Sequence, residues 1–257
     1  MSLYGKLSAE FYDLDKPEAP PDALEYYLQQ AAHAAGPILE PMCGTGRFLL
    51  PLLAAGFDVE GSDASAEMLA LCRANAERLG LDARLAEQRL EELETSRKFG
   101  LVFVPSGSFC LLTDTEVVKK CLQRIHAALA PRGRFIFEVE RRVRQKPSEL
   151  SGAWGGRWVS RPDGAKLLFS WLSRYTAPSG IFSAVHRYEL VADGRLIQQE
   201  FEDFELKLYE LSEIRQLLHA AGFPKIQMLE AYSQEPVNET SEAQDEEGII
   251  VVAERGP

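Results

Sequence analysis

One stretch near the start of the chain restricts the fold more than any other: Ile38-Leu39-Glu40-Pro41-Met42-Cys43-Gly44-Thr45-Gly46-Arg47, followed by Phe48-Leu49-Leu50. A short apolar run ends in a carboxylate, a glycine turn follows, and a helical pattern begins. A strand that turns through glycines into a helix brings backbone N–H groups close to a bound ligand. A second acid, Asp63, closes the next apolar run 17 residues beyond Gly46, where a carboxylate can accept hydrogen bonds from both hydroxyls of a ribose. A nucleotide-like ligand is implied.

The surrounding sequence alternates short apolar runs with helical spacing. Residues 38–39, 57–60, 83–86, 101–104 and 135–137 are candidate strands, and Met68-Leu69 with Cys72, or Val117-Val118 with Cys121, Leu122 and Ile125, mark helices between them. Strand, helix, strand, helix implies an α/β fold with a mostly parallel sheet and helices on both faces.

The chain changes character near Glu140. Pro162-Asp163-Gly164, Pro178-Ser179-Gly180 and Asp193-Gly194 are turn signals between β-rich runs, predicting an antiparallel meander of four strands at about 153–160, 165–175, 181–190 and 195–208. Phe169, Trp171 and Tyr175 share a face of its second strand, and their simplest fate is packing against the main sheet. Beyond it, Ser212 is positioned to cap a helix over 213–221 that Gly222 stops, and apolar runs at 225–229 and 249–253 return to the sheet. The reading is one domain over 1–257, with 141–209 an inserted β elaboration.

A net charge of −11 disfavours a nucleic acid partner. Much of the excess lies between Gln234 and Glu247, where six acids meet no Lys or Arg, as in a solvated loop; the Asn238-Glu239-Thr240 sequon there reads as accidental. Four irregularly spaced cysteines suggest reduced thiols and no zinc site. Without a signal-like start or a long apolar window, a cytoplasmic protein with no membrane contact is the expectation.

The ligand class follows from the loop. A dinucleotide site wants glycine at a third position, here Leu49, and Glu40 would repel a diphosphate. A carboxylate there suits an ammonium and a sulfonium, which points to S-adenosylmethionine (SAM). A dinucleotide site and a purely structural turn stay open as alternatives at this stage.

These residues resemble the class I SAM-dependent methyltransferases, within them the glycine and sugar-amine N-methyltransferases. The likeness includes Gly61-Ser62-Asp63-Ala64-Ser65 with Met68-Leu69, the Pro105-Ser106-Gly107-Ser108 turn, Leu129-Ala130-Pro131-Arg132-Gly133-Arg134-Phe135 and the antiparallel insertion. It implies a Rossmann-like, seven-stranded sheet whose last strand is antiparallel. It assigns the methionine part of SAM to Glu40, Gly44 and Gly46, and the ribose to Asp63 and Ala64. Tyr12, in Phe11-Tyr12-Asp13, matches a segment that closes over the cofactor, with helix packing as its alternative. Met42, Cys43, Arg47, Met68, Gln88, Arg89, Pro105 and Ser106 complete the cofactor set.

Two departures stand out: Met42 replaces the first loop glycine, and Gln88 replaces an adenine-binding acid. Gln88 either accepts from the adenine amino group or opens the turn at 90–93. The turn after the fourth strand lacks the Asn/Asp-Pro-Pro-aromatic pattern of enzymes that methylate nucleic-acid bases or glutamine. The expected activity is therefore methyl transfer to a nitrogen or oxygen of a small soluble acceptor, with SAM-binding without turnover as the alternative. Phe109, Trp154 and Arg187 are candidate acceptor contacts, though Phe109 fits the core equally well. No catalytic base is identifiable, no metal is called for, and the insertion offers a surface for a homodimer.

Overall fold

The computed structural model describes residues 4–141, 152, 154–176, 179–237 and 248–257. Most of the acidic stretch and the Asn238 sequon lie outside the described residues, as does the start of the insertion. In chain order, α1 (Lys6–Asp15) and α2 (Pro21–Ala32) precede β1 (Ile38–Pro41), α3 (Leu49–Ala54), β2 (Val59–Asp63), α4 (Ala66–Arg78), β3 (Arg84–Glu87), β4 (Phe99–Val104), α5 (Thr115–Ala128) and β5 (Leu129–Val139). Then come β6 (Trp154–Ser160), β7 (Lys166–Thr176), β8 (Ile181–Ala192), β9 (Arg195–Lys207), α6 (Leu211–Ala220), β10 (Lys225–Leu229) and β11 (Ile249–Glu254).

Seven strands form one sheet in the order β3-β2-β1-β4-β5-β11-β10, with β11 antiparallel to both its neighbours. The central strands read as continuous apolar runs because both faces are covered, and all six residues of β4 are buried. Their two-residue period divides the core. Leu39, Val102, Val104, Phe135 and Phe137 face α5 and α6, whereas Ile38, Leu101, Phe103 and Ile136 face α2, α3 and α4. This is the seven-stranded sheet with an antiparallel last strand that the resemblance implied. No helix among the described residues is long and apolar enough to cross a membrane.

The second sheet, β6-β7-β8-β9, is antiparallel throughout and close to the expected meander. Asp193 and Gly194 both take positive φ, 50° and 70°, which suits the tight turn between β8 and β9. Its inner aromatics correct one expectation. Phe169 and Tyr188 pack not on the main sheet but on α1, with Phe11 at centroid distances of 5.2 and 5.9 Å, beside Leu7 and Leu167. Trp154, Trp158, Val185 and Phe201 are exposed on the opposite face.

Helix α1 has no side-chain cap from its own turn, and the meander supplies one. Glu202 accepts from the backbone N–H groups of Tyr4 and Gly5, each at 3.0 Å, and from the Ser8 hydroxyl; Glu200 accepts from Leu7 N–H at 2.8 Å. Carboxylates at a helix start satisfy free donors and complement the helix dipole. At the other end, Arg157 pairs with Asp15 at 2.6 Å. Helix α6 also departs from expectation. It starts at Leu211 after an extended Glu210, because buried Leu211 anchors its first turn, so Ser212 lies inside the helix rather than capping it.

Replacing Glu202 by Ala strands two backbone donors, and we expect a loss of about 1–2 kcal/mol. Urea unfolding of the Glu202→Ala protein measures it; an unchanged midpoint contradicts this role for the carboxylate.

Candidate ligand site at the carboxyl edge of the sheet

The glycine turn leaves β1 through three residues of positive φ: Met42 (59°), Gly44 (55°) and Gly46 (86°). Met42 therefore holds a backbone conformation that glycine adopts without strain. At Gly46 a Cβ would stand 2.6 Å from Cys72 Sγ and 2.9 Å from Leu50 Cγ, so α3 and α4 close on the turn only because no side chain intervenes. Asp63 locks this arrangement from β2. It accepts from Gly44 N–H and Ser65 N–H, each at 2.9 Å, which leaves further lone pairs on the carboxylate for a ligand. Met68 sits beneath Gly44, 2 % exposed, and Ala64 adds a backbone N–H to Asp63. Cys43 is buried and hydrogen-bonded to the Cys72 thiol, which with burial pushes its own thiol pKa well up.

Glu40 is 2 % exposed, and one of its carboxylate oxygens is buried without a partner among the described residues. Burial raises its pKa well above the usual carboxylate range, with the Cys72 thiol adding to the rise and Arg47 opposing it. Burial likewise raises Asp63, against the pull of the N–H groups it accepts from. An orphaned carboxylate oxygen at the strand end is a strong acceptor waiting for a donor.

Across from it stands Arg47. Its Nη2 donates to Ser106 Oγ at 2.7 Å, its guanidinium lies 5.6 Å from the Tyr12 ring and 5.4 Å from the Phe48 ring, and its Nε is buried without a partner among the described residues. Tyr12 thus reaches the site from α1, edge-on to Tyr4 at 5.9 Å. Burial raises the Tyr12 phenol, and burial together with Arg47 lowers the neighbouring Lys16.

The structure adds a group that the sequence reading missed. Glu138 on β5 is 6 % exposed and accepts from Tyr27 Oη at 2.8 Å, from Tyr232 Oη at 3.0 Å and from the backbone of Ser106. Burial raises its pKa; these donors and Arg47 counter it. The sequence signal was a lone acid within Phe135-Ile136-Phe137-Glu138-Val139, a run otherwise apolar. Nothing local flags Tyr27 or Tyr232 as its partners.

Other candidates fall elsewhere. Pro105 is buried below the turn, but Phe109 is fully buried against Phe137 at 4.5 Å, so it belongs to the core and not to an acceptor surface. Gln88 donates its backbone N–H to Asp63 O, yet its side-chain oxygen accepts from Glu94 N–H at 3.1 Å, which is the turn-opening alternative. Arg89 is exposed and paired with Glu91 at 2.5 Å. A Cβ on Gly155 would meet the Trp171 ring at 2.3 Å, so Gly155 shares the inner face and Trp154 takes the outer one, 60 % exposed. Arg187 lies outside too, against Trp154 at 5.4 Å, Ser170 at 3.2 Å and Glu189 at 3.4 Å. Neither meets the site, since the alternation that buries Tyr188 turns Arg187 away. The neighbouring His186 faces inward, stacked on Phe204 at 4.3 Å, and burial pushes its pKa down to about 4.

Residues 38–133 match a family model described as a methyltransferase domain. Over 250 residues the chain is 26% identical to a protein of Geobacillus sp. (strain WCH70) whose methyltransferase name is itself an inference, covering 91% of this chain and 94% of the relative. It is 30% identical over 117 residues, 44% of either chain, to the glycine/sarcosine N-methyltransferase of Halorhodospira halochloris. Among solved structures it resembles a SAM-dependent methyltransferase from Clostridium acetobutylicum ATCC 824, with a TM-score of 0.75, 22% identity, and 97% and 98% of the two chains covered. The sugar N-methyltransferase KedS8 from Streptoalloteichus sp ATCC 53650 matches with a TM-score of 0.73, 19% identity, and 100% and 97% covered.

The contacts at Gly46 make a direct prediction. Gly46→Ala adds a methyl at positive φ and against the Cys72 sulfur, and destabilises the fold by more than about 1 kcal/mol. Thermal or urea unfolding reads this; a neutral substitution means that the turn is not closed as described.

Proposed function

We propose that this chain, whose residues 38–133 match a methyltransferase domain model, is a SAM-dependent methyltransferase that transfers the methyl group of SAM to a nitrogen or oxygen of a small acceptor. The observation that carries the cofactor assignment is the buried Glu40 carboxylate with its unpartnered oxygen, facing Arg47 across the glycine turn. A carboxylate and a guanidinium so placed match an amino acid group: Glu40 takes the ammonium and Arg47 the carboxylate. Asp63, aimed by Gly44 and Ser65, takes the ribose hydroxyls. A diphosphate is disfavoured by Glu40, and by Leu49, whose side chain would stand 2.6 Å from a Cβ on Gly61 and so fills the space a third glycine would leave.

When bound, SAM supplies a methyl on a cationic sulfur, which passes in line to a lone pair. The protein's part is to hold, orient and keep water out. Tyr12 on α1 covers the turn beside Arg47, and Ser106 borders it from β4. The inner face of the meander, with Trp171, His186 and Phe204, is the proposed acceptor wall. A neutral imidazole among aromatic rings suits an uncharged ring-shaped acceptor that bears amino or hydroxyl groups. The relatives named for glycine and sugar amines favour nitrogen.

Asp63→Ala weakens SAM binding by at least about 1.5 kcal/mol by calorimetry, through loss of charge-assisted hydrogen bonds; unchanged affinity in a folded variant overturns the ribose assignment. Glu40 must be ionised to hold an ammonium, and its pKa in the free protein is raised, so SAM affinity falls as pH drops through that value and is regained above it. Glu40→Gln binds weakly at every pH and loses this dependence; an identical pH profile in both proteins contradicts the pairing. Methyl transfer to any member of a panel of amino sugars, amino acids and phenols excludes binding without turnover.

A further inference from the structure

Ser106 and Tyr232 are non-glycine residues in the left-handed region, with φ of 57° and 52°, in the loops that follow β4 and β10. Such conformations persist where the surroundings fix them, and they gather at functional sites. Both are tied to the same buried group: Ser106 through its backbone and Tyr232 through its hydroxyl donate to Glu138. The third donor, Tyr27, packs on Phe48 at 5.4 Å, and Phe48 in turn lies beneath the Arg47 guanidinium. Arg47 is thus held by the Ser106 hydroxyl and by the Phe48 and Tyr12 rings, and two of these three supports, Ser106 and Phe48, lead back to Glu138. A guanidinium held in this way is pre-oriented, so that less freedom is lost when it meets a carboxylate.

We infer that Glu138 is a positioning residue for the amino acid end of SAM: through Ser106, Tyr27 and Tyr232 it sets the guanidinium that receives the cofactor's carboxylate. The inference rests on the cofactor reading above. It separates two parts of one ligand, since the ribose is held by Asp63 from β2, outside this network.

The test compares two probes by calorimetry: SAM, and 5′-methylthioadenosine, which has the adenosine but neither the ammonium nor the carboxylate. Glu138→Gln keeps the shape and removes the charge, and it raises the Kd for SAM by about tenfold while leaving methylthioadenosine within about twofold. Tyr232→Phe, in a half-buried loop, moves SAM in the same direction by a smaller factor and tests the same link without disturbing the strand. Equal losses for both probes mean a merely structural role and overturn the inference, as does unchanged SAM affinity in both variants. Wild-type protein that binds methylthioadenosine no less tightly than SAM overturns the assigned amino acid subsite itself; discrimination intact in the wild type and in both variants overturns only the role of Glu138.

Discussion

Three carboxylates at the carboxyl edge of the sheet, Glu40, Asp63 and Glu138, are buried or nearly so, and the site is organised around satisfying them. Burying a charge is costly unless partners are supplied. Asp63 receives backbone N–H groups from the glycine turn and the start of α4; Glu138 receives two phenols and a backbone N–H. Glu40 keeps one oxygen without a partner among the described residues. Asp63 and Glu138 are thus satisfied largely from within the protein, and Glu40 is the one that, in the proposed reading, awaits a cation. The charge of Arg47 acts on both Glu40 and Glu138, drawing each back toward its ionised form.

The second sheet is joined to this site through α1. Glu200 and Glu202 hold the helix start, and Arg157 holds its end. On its other side α1 and the residues before it meet the elements around the glycine turn. Asn75 of α4 donates to Asp13 at 2.9 Å, and Ser65 donates to the Tyr4 carbonyl at 3.1 Å. Tyr12 is thus carried between the meander and the glycine turn, so the inner face of the meander and that turn share one structural element.

Much of this was legible in the sequence, for reasons that can be named. The turn at 42–46 announces itself because close packing of α3 and α4 on a left-handed chain demands glycine at Gly46. The parallel core shows as uninterrupted apolar runs because helices cover both faces of β4. The meander shows through Asp193-Gly194 and similar turns. What stayed hidden depends on register or on distant contacts. Trp154 and Arg187 were candidates for a pocket, but which face they take is set by the pairing of Gly155 with Trp171 and by the burial of Tyr188. Phe109 looked available after a loop, yet the short helical turn from Ser108 returns it beneath β5. The two phenol partners of Glu138 come from positions more than 90 residues away on either side, which no local pattern connects.

The central claim is that the turn guarded by Glu40 takes SAM and not a dinucleotide. Isothermal titration of the wild-type protein with SAM, S-adenosylhomocysteine and NADH tests it directly. The account predicts micromolar binding of both adenosyl amino acid ligands and none of NADH. Binding of NADH, or a folded protein that takes up neither SAM nor its product, would contradict it.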